Sequence, residues 1–240
     1  MTLVFNQFDV DAVIVDLDGT MVDTLGDFEV ALNHMLADLP PPYQQQRVDR
    51  ATVARLVGKG SENLIKSVIA LVAYRFNAIN SDEISEESLA QTCRAAWPRY
   101  QHHYRAVNGQ HAQVYPGVVA GLQQLQASGL KLACLTNKPT AFAQTLLQAK
   151  GLDRFFTRTF GGDAFERKKP DPLPLLKTCE ALGSAPQRTL MVGDSSNDAQ
   201  AARAAGCPVL LVTYGYNHGE PIHAVDADGF TESLQNLRSS

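Results

Sequence analysis

Val13-Ile14-Val15-Asp16-Leu17-Asp18-Gly19-Thr20 runs an apolar strand into two carboxylates and a glycine. Acidic residues two positions apart at the end of a buried strand project to the same side of the sheet. Gly19 after the second acid permits a sharp turn and close approach of backbone to ligand. Carboxylates gathered at the mouth of a sheet repel one another unless a cation or a proton intervenes. The reading of this stretch therefore depends on where the rest of the chain supplies positive charge.

Two later segments supply it, and a third adds a second acidic pair. Leu132-Ala133-Cys134-Leu135 ends in Thr136-Asn137-Lys138. Arg167-Lys168-Lys169 precedes Pro170-Asp171-Pro172, and Leu190-Met191-Val192 ends in Gly193-Asp194, with Asp198 one helical turn on. Ligand sites in open α/β sheets lie beyond the carboxyl ends of the strands, so these groups are expected to converge.

The remaining pattern fixes the organisation. After Asp18 the periodicity turns helical and stays so for most of the next eighty or so residues, with stripes at Leu64, Val68, Leu71, Val72 and at Leu89, Cys93, Trp97, Tyr100, Tyr104. Pro40-Pro41-Pro42 separates the first helix from the second. From Tyr115-Pro116-Gly117 onward, apolar runs at 130–135, 155–160, 189–193 and 208–213 alternate with helices that stop at glycines. Alternating strand and helix predicts a doubly wound, Rossmann-like parallel α/β sheet. Residues 1–22 and 109–240 are expected to form this core, with 23–108 an all-helical insert after the first strand. A short strand near Gly229-Phe230 and a final helix to Arg238 are expected at the end.

Composition narrows the partners. The chain has 240 residues, 45% of them hydrophobic, which suits a folded core rather than disorder. A net charge of −4 gives no electrostatic footprint for nucleic acid. No apolar stretch is long enough to span a bilayer, and the N-terminus lacks the basic and apolar segments of a signal peptide. Cys93, Cys134, Cys179 and Cys207 show neither paired nor zinc-ligand spacing, as expected of reduced thiols in the cytoplasm.

The set D-x-D-G-T, apolar run-T-N, K-P and G-D-x-x-x-D resembles the four signature motifs of the haloacid-dehalogenase superfamily, in its phosphatase branch. Val57-Gly58-Lys59-Gly60, Thr136-Asn137-Lys138-Pro139-Thr140 and Thr213-Tyr214-Gly215-Tyr216-Asn217 add a narrower similarity to bacterial phosphoglycolate phosphatases. The resemblance covers essentially the whole chain. It implies that Asp16 is the nucleophile, forming an aspartyl-phosphate that water then cleaves. It implies a magnesium ion held by Asp16, the backbone carbonyl of Asp18 and Asp194, a hard oxygen set that suits this ion. Asp18 would act as acid to the leaving alkoxide and base to the attacking water, with a pKa raised by a nearby anion or by burial. Its presence favours phosphate over a haloacid substrate. Thr136 and Asn137 would bind phosphoryl oxygens through hydroxyl and backbone N–H groups. Lys169, chosen over Lys168 because Pro170 follows it, would bridge nucleophile and phosphate. Asp198 would orient Lys169 or metal-bound waters.

The insert is expected to act as a lid, with Gly58 and Lys59 reaching the substrate. Lys59 or the loop amides would meet a substrate carboxylate, and Arg47, Arg50 and Arg55 stand as unranked alternatives. The expected reaction is hydrolysis of 2-phosphoglycolate to glycolate and phosphate, a step of carbohydrate metabolism, by a monomer or homodimer acting on a small phosphorylated metabolite. A sugar-phosphate phosphatase of the same fold, for instance on an amino-sugar 6-phosphate, would share every catalytic residue. A phosphomutase or a non-enzymatic phospho-receiver is the more distant alternative. A receiver has about half this length and no helical insert.

Overall fold

The computed structural model describes residues 3–4, 9–78 and 84–238. The chain opens with β1 (Leu3–Val4), β2 (Ala12–Val15) and β3 (Val22–Asp23). Four helices follow: α1 (Leu25–Ala37), α2 (Arg50–Leu56), α3 (Ser61–Asn77) and α4 (Glu86–Val107). Next come β4 (Gln113–Val114), α5 (Val118–Ala127), β5 (Lys131–Leu135), α6 (Thr140–Ala149) and β6 (Arg158–Phe160). The chain continues through α7 (Leu173–Leu182), β7 (Thr189–Gly193), α8 (Ser196–Ala205) and β8 (Val209–Val212) to β9 (Gly229–Thr231) and β10 (Leu237–Arg238).

Six strands form one sheet in the order β6-β5-β2-β7-β8-β9, every pairing parallel. All four residues of β2 are 0% exposed, so the strand is covered on both faces, and its continuous apolar run reflects that. Ile14, Ala133, Leu135, Met191, Val209 and Leu211 turn one face toward α7 and α8, where Leu175, Cys179, Ala199 and Ala202 complete the core. Burying these side chains stabilises the sheet by about 1.5–3 kcal/mol for each large one. The register pairs Val15 with both Cys134 and Val192. The carboxyl ends of β2, β5 and β7 therefore stand level. The chain order also reverses here, with β5 and β6 to one side of β2 and β7 onward to the other. Such a switch point leaves a crevice above the strand ends.

The end of the chain departs from the expected helix to Arg238. The strand at Gly229–Thr231 is present, but a single 3₁₀ turn follows at Leu234–Asn236, and then β10 pairs in parallel with β1. Leu234 and Leu237 bury their side chains instead, and β1 takes up backbone hydrogen bonds.

The chain divides into two compact units: Met1–Asp23 with Gln113–Ser240, and Thr24–Ala112. The antiparallel pairing of Val22 with Val114 and Asp23 with Gln113 brings together the two points where the chain leaves and re-enters the first unit. Within the helical unit, Phe28 of α1 stacks on Tyr104 of α4 at 5.4 Å between ring centres, and Tyr104 on Tyr100 at the same distance. Asp27, 0% exposed, accepts the amides of Gly109 at 2.6 Å and His111 at 2.7 Å, which ties the exit of α4 to the start of α1. Leu64, Val68 and Val72 of α3 are buried, whereas Leu71, Leu89, Cys93 and Trp97 are half-buried. The last three line an open groove beside Ile65. No helix among the described residues is long and apolar enough to cross a membrane.

Candidate active site

Each charged group at the crevice is delivered by the end of an element. Asp16 leaves β2, Thr136 leaves β5, and Asp194 leaves β7 just before α8. Lys169 arrives from the segment that precedes α7. Its ammonium donates to Asp16 Oδ1 at 2.8 Å, to Asp198 Oδ1 at 2.7 Å and to the Leu135 carbonyl at 2.9 Å. Three acceptors saturate its three N–H bonds. Lys169 is 4% exposed and Lys168 is half-buried, so the geometry brings Lys169 to the carboxylates. The Asn137 side chain fixes Lys169 from behind. Its amide nitrogen donates to the Lys169 carbonyl at 2.9 Å, and its oxygen accepts the Lys169 N–H at 3.0 Å.

Asp198, 1% exposed, is a hub. Its second oxygen accepts from the Asp194 and Ser195 amides at 3.2 Å each and from the Ser195 hydroxyl at 2.8 Å. These bonds cap the first turn of α8 and leave Oδ1 to brace Lys169. Asp194 accepts the Tyr216 amide at 2.7 Å and a long bond of 3.4 Å from Thr20. Its carboxylate is closely packed: a Cβ at either Gly19 or Gly215 would overlap it. Gly19 also holds φ at +86°, a left-handed conformation natural to glycine.

Electrostatics make this cluster costly without a cation. Asp16, Asp194 and Asp198 each offer an oxygen within 4.8 Å of the others, and all three are buried. Lys169 alone, bonding Asp16 and Asp198, neutralises only part of that charge. Among the described residues no lysine or arginine makes an ion pair with Asp194. Burial, opposed by the Lys169 charge and helped by Asp198, pushes the Asp16 carboxyl up to about 7. Burial, with Asp198 and Asp16 close by, holds Asp194 well above the ordinary range. The Lys169 ammonium is raised as well: burial works against its charge, but the two carboxylates outweigh it and keep it firmly protonated. A buried all-oxygen acidic set with incomplete compensation fits a hard divalent cation.

The other sequence-derived residues fall into two places. Thr136 is buried beside this cluster, its hydroxyl accepting the Lys138 amide at 3.2 Å. Gly58 and Lys59 lie between α2 and α3, in the helical unit. The Asp18 carboxylate accepts from the Lys138 ammonium, at 3.0 and 3.3 Å from its two oxygens, and Asp16 is an anion near it. The side-chain carboxylates close enough to share a cation are those of Asp16, Asp194 and Asp198.

Lys138 and Tyr216 had no role assigned from sequence. Lys138 was visible only as the residue after Thr136-Asn137, and nothing local showed where its long side chain would point. Tyr216 supplies the backbone amide that holds Asp194, and its hydroxyl donates to Asp23 at 3.1 Å. Its one signal was the Thr213–Asn217 stretch. Tyr214 is anchored nearby, its hydroxyl donating to the Thr20 carbonyl at 2.7 Å.

Known proteins resemble this chain. A family model described as haloacid dehalogenase-like hydrolase matches residues 10–206. Phosphoglycolate phosphatase of Thiobacillus denitrificans is 40% identical over 225 residues, covering 94% of this chain and 92% of its own. That of Escherichia coli K12 is 36% identical over 241 residues, covering 97% and 93%. Among solved structures, a predicted phosphoglycolate phosphatase from Haemophilus somnus superimposes with a TM-score of 0.83 at 30% identity, covering 95% of this chain and 96% of that one. The family model spans most of the chain and the relatives 94–97% of it, and the chain belongs to the haloacid dehalogenase-like hydrolases.

Proposed function

We propose that this enzyme is a phosphoric monoester hydrolase whose substrate is 2-phosphoglycolate, released as glycolate and inorganic phosphate. One observation carries the reading: a buried lysine and three buried carboxylates, from the ends of β2 and β7 and the first turn of α8, meet at the switch point of the sheet. The names of the relatives at 36–40% identity supply the substrate.

Asp16 is the nucleophile. Its carboxylate oxygen bonds to phosphorus as the ester P–O bond breaks, and Asp18 donates a proton to the departing alkoxide. Asp18 then takes a proton from water, whose oxygen bonds to phosphorus while the Asp16–phosphorus link breaks and regenerates the carboxylate. Lys169 stays protonated throughout and offsets charge on the nucleophile and the phosphoryl oxygens, the dominant demand in phosphoryl transfer. Its contact with Asp198 keeps it in place while Asp16 changes partner. The Thr136 hydroxyl and the Asn137 backbone N–H bind phosphoryl oxygens.

Asp16, Asp194 and the Asp18 carbonyl are assigned to a magnesium ion, with Asp198 in support of Lys169. When bound, the ion supplies further positive charge to a dianionic substrate. Gly58 and Lys59 are assigned to substrate selection. The four cysteines form no disulfide, in keeping with a cytoplasmic enzyme.

The test is a panel of phosphate esters, with and without magnesium. The reading expects preference for 2-phosphoglycolate, dependence on the ion, and loss of turnover by about 10⁴-fold or more in Asp16→Asn. A stronger preference for a hexose phosphate would replace the substrate, and an active Asp16→Asn would remove the mechanism.

A further inference from the structure

Lys138 is a second buried ammonium in the catalytic unit, and the reaction scheme above gives it no task. Its side chain is 1% exposed, against 12% for its partner Asp18. The ammonium grips both Asp18 oxygens, at 3.0 and 3.3 Å. The backbone behind it is pinned twice: its N–H donates to Thr136 Oγ1 at 3.2 Å, and its carbonyl accepts the Gly162 amide at 2.8 Å. Any Cβ on Gly161 would crowd that same carbonyl. The lysine is therefore held from behind, with its ammonium on both Asp18 oxygens. A buried ammonium is costly to hold unless it meets an anion.

The two lysines divide the reaction centre. Lys169 sits on Asp16, assigned above as the nucleophile, whereas Lys138 sits on Asp18, assigned above to protonate the leaving oxygen. In 2-phosphoglycolate a single methylene joins that oxygen to the carboxylate. A cation bonded to Asp18 is thus on the side of the substrate that carries the extra negative charge. A substrate carboxylate desolvated on that side needs a positive partner of its own.

We propose that Lys138 is a specificity-determining residue that binds the carboxylate of the leaving group, sharing its ammonium between that carboxylate and Asp18. The proposal rests on the 2-phosphoglycolate reading and deepens it. Lys138 would also help hold Asp18, so activity on one substrate cannot separate the two roles. Comparison of two substrates does.

The experiment measures kcat/KM for 2-phosphoglycolate and for 2-phosphoethanol, which has CH₂OH in place of the carboxylate, in wild type and in Lys138→Met, Lys138→Gln, Lys138→Arg and Lys59→Met. Loss of Asp18 support lowers both substrates alike and cancels in their ratio. Binding of the carboxylate shows in the ratio, which is expected to fall about 10- to 100-fold in Lys138→Met, mostly through KM. Lys138→Gln, which retains a hydrogen bond to Asp18 without the charge, is expected to fall similarly and guards against misfolding of the methionine variant. Lys138→Arg is expected to recover most of the ratio. An unchanged ratio in the Met and Gln variants overturns the proposal, as does a selective loss in Lys59→Met alone. Wild type with no preference for 2-phosphoglycolate would overturn the substrate assignment itself, a result visible before any Lys138 variant is made.

Discussion

Asp16 illustrates how one residue carries opposing demands. A nucleophile must be ionised, yet burial holds this carboxyl up to about 7, against 3.8 for an ordinary aspartate. Burial is the main cause; Asp198 and Asp18 add repulsion, because three clustered carboxylates share one close ammonium, which only partly opposes it. Because the folded value is raised, the stabilising contribution is fully present below about pH 4 and is lost as pH rises through about 7. Asp16→Asn removes this dependence. Without divalent ions it is expected to be more stable than wild type at pH 8, by an amount on the order of a few kcal/mol, and to melt higher, with the gap closing toward pH 4. Thermal melts in chelator across that range test it, and a wild type more stable at pH 8 would refute the charge imbalance. Lys169→Ala moves the other way. It leaves Asp16 and Asp198 buried without their cation and is expected to cost about 3–5 kcal/mol, read by denaturant unfolding.

The strand ends set these residues side by side, and the loops after them set their orientation. β2, β5 and β7 end in register, so a carboxylate, a hydroxyl and a second carboxylate emerge together. The loop after β8 then closes on Asp194 through the Tyr216 amide, with Gly215 packed against the carboxylate. Gly215→Ala puts a methyl group where Asp194 lies. It is expected to reduce divalent binding and turnover by tenfold or more while costing only about 1–3 kcal/mol of stability. Retained metal affinity in that variant, measured calorimetrically, would show that the loop yields instead. These elements were legible from apolar runs and their flanking glycines. The tail was not, because β10 is defined by pairing with β1 at the opposite end of the chain rather than by its own sequence.

On the scale of the molecule, the acidic cluster couples folding to the cation. A ligand that binds only the folded state stabilises it by mass action, about 2.7 kcal/mol at a hundredfold excess over Kd. Magnesium is therefore expected to raise the melting temperature by about 5–10 °C. Asp194→Asn is expected to abolish most of that rise. An equal rise in wild type and variant would place the ion elsewhere. The chain's two compact units share this coupling unequally, since every carboxylate in the cluster belongs to the unit containing the sheet.

The sequence by itself determined the parallel sheet, the helical insert and the identity of Asp16, Asp18, Asp194 and Lys169 as candidates. Strand periodicity and residue type are local, and motifs at strand ends inherit their position from the sheet. Tertiary structure alone decided which acid meets which base. Lysine side chains are long and flexible, so the pairing of Lys138 with Asp18, the double grip of Lys169 on Asp16 and Asp198, and the Tyr216 amide on Asp194 depend on packing between segments far apart in the chain.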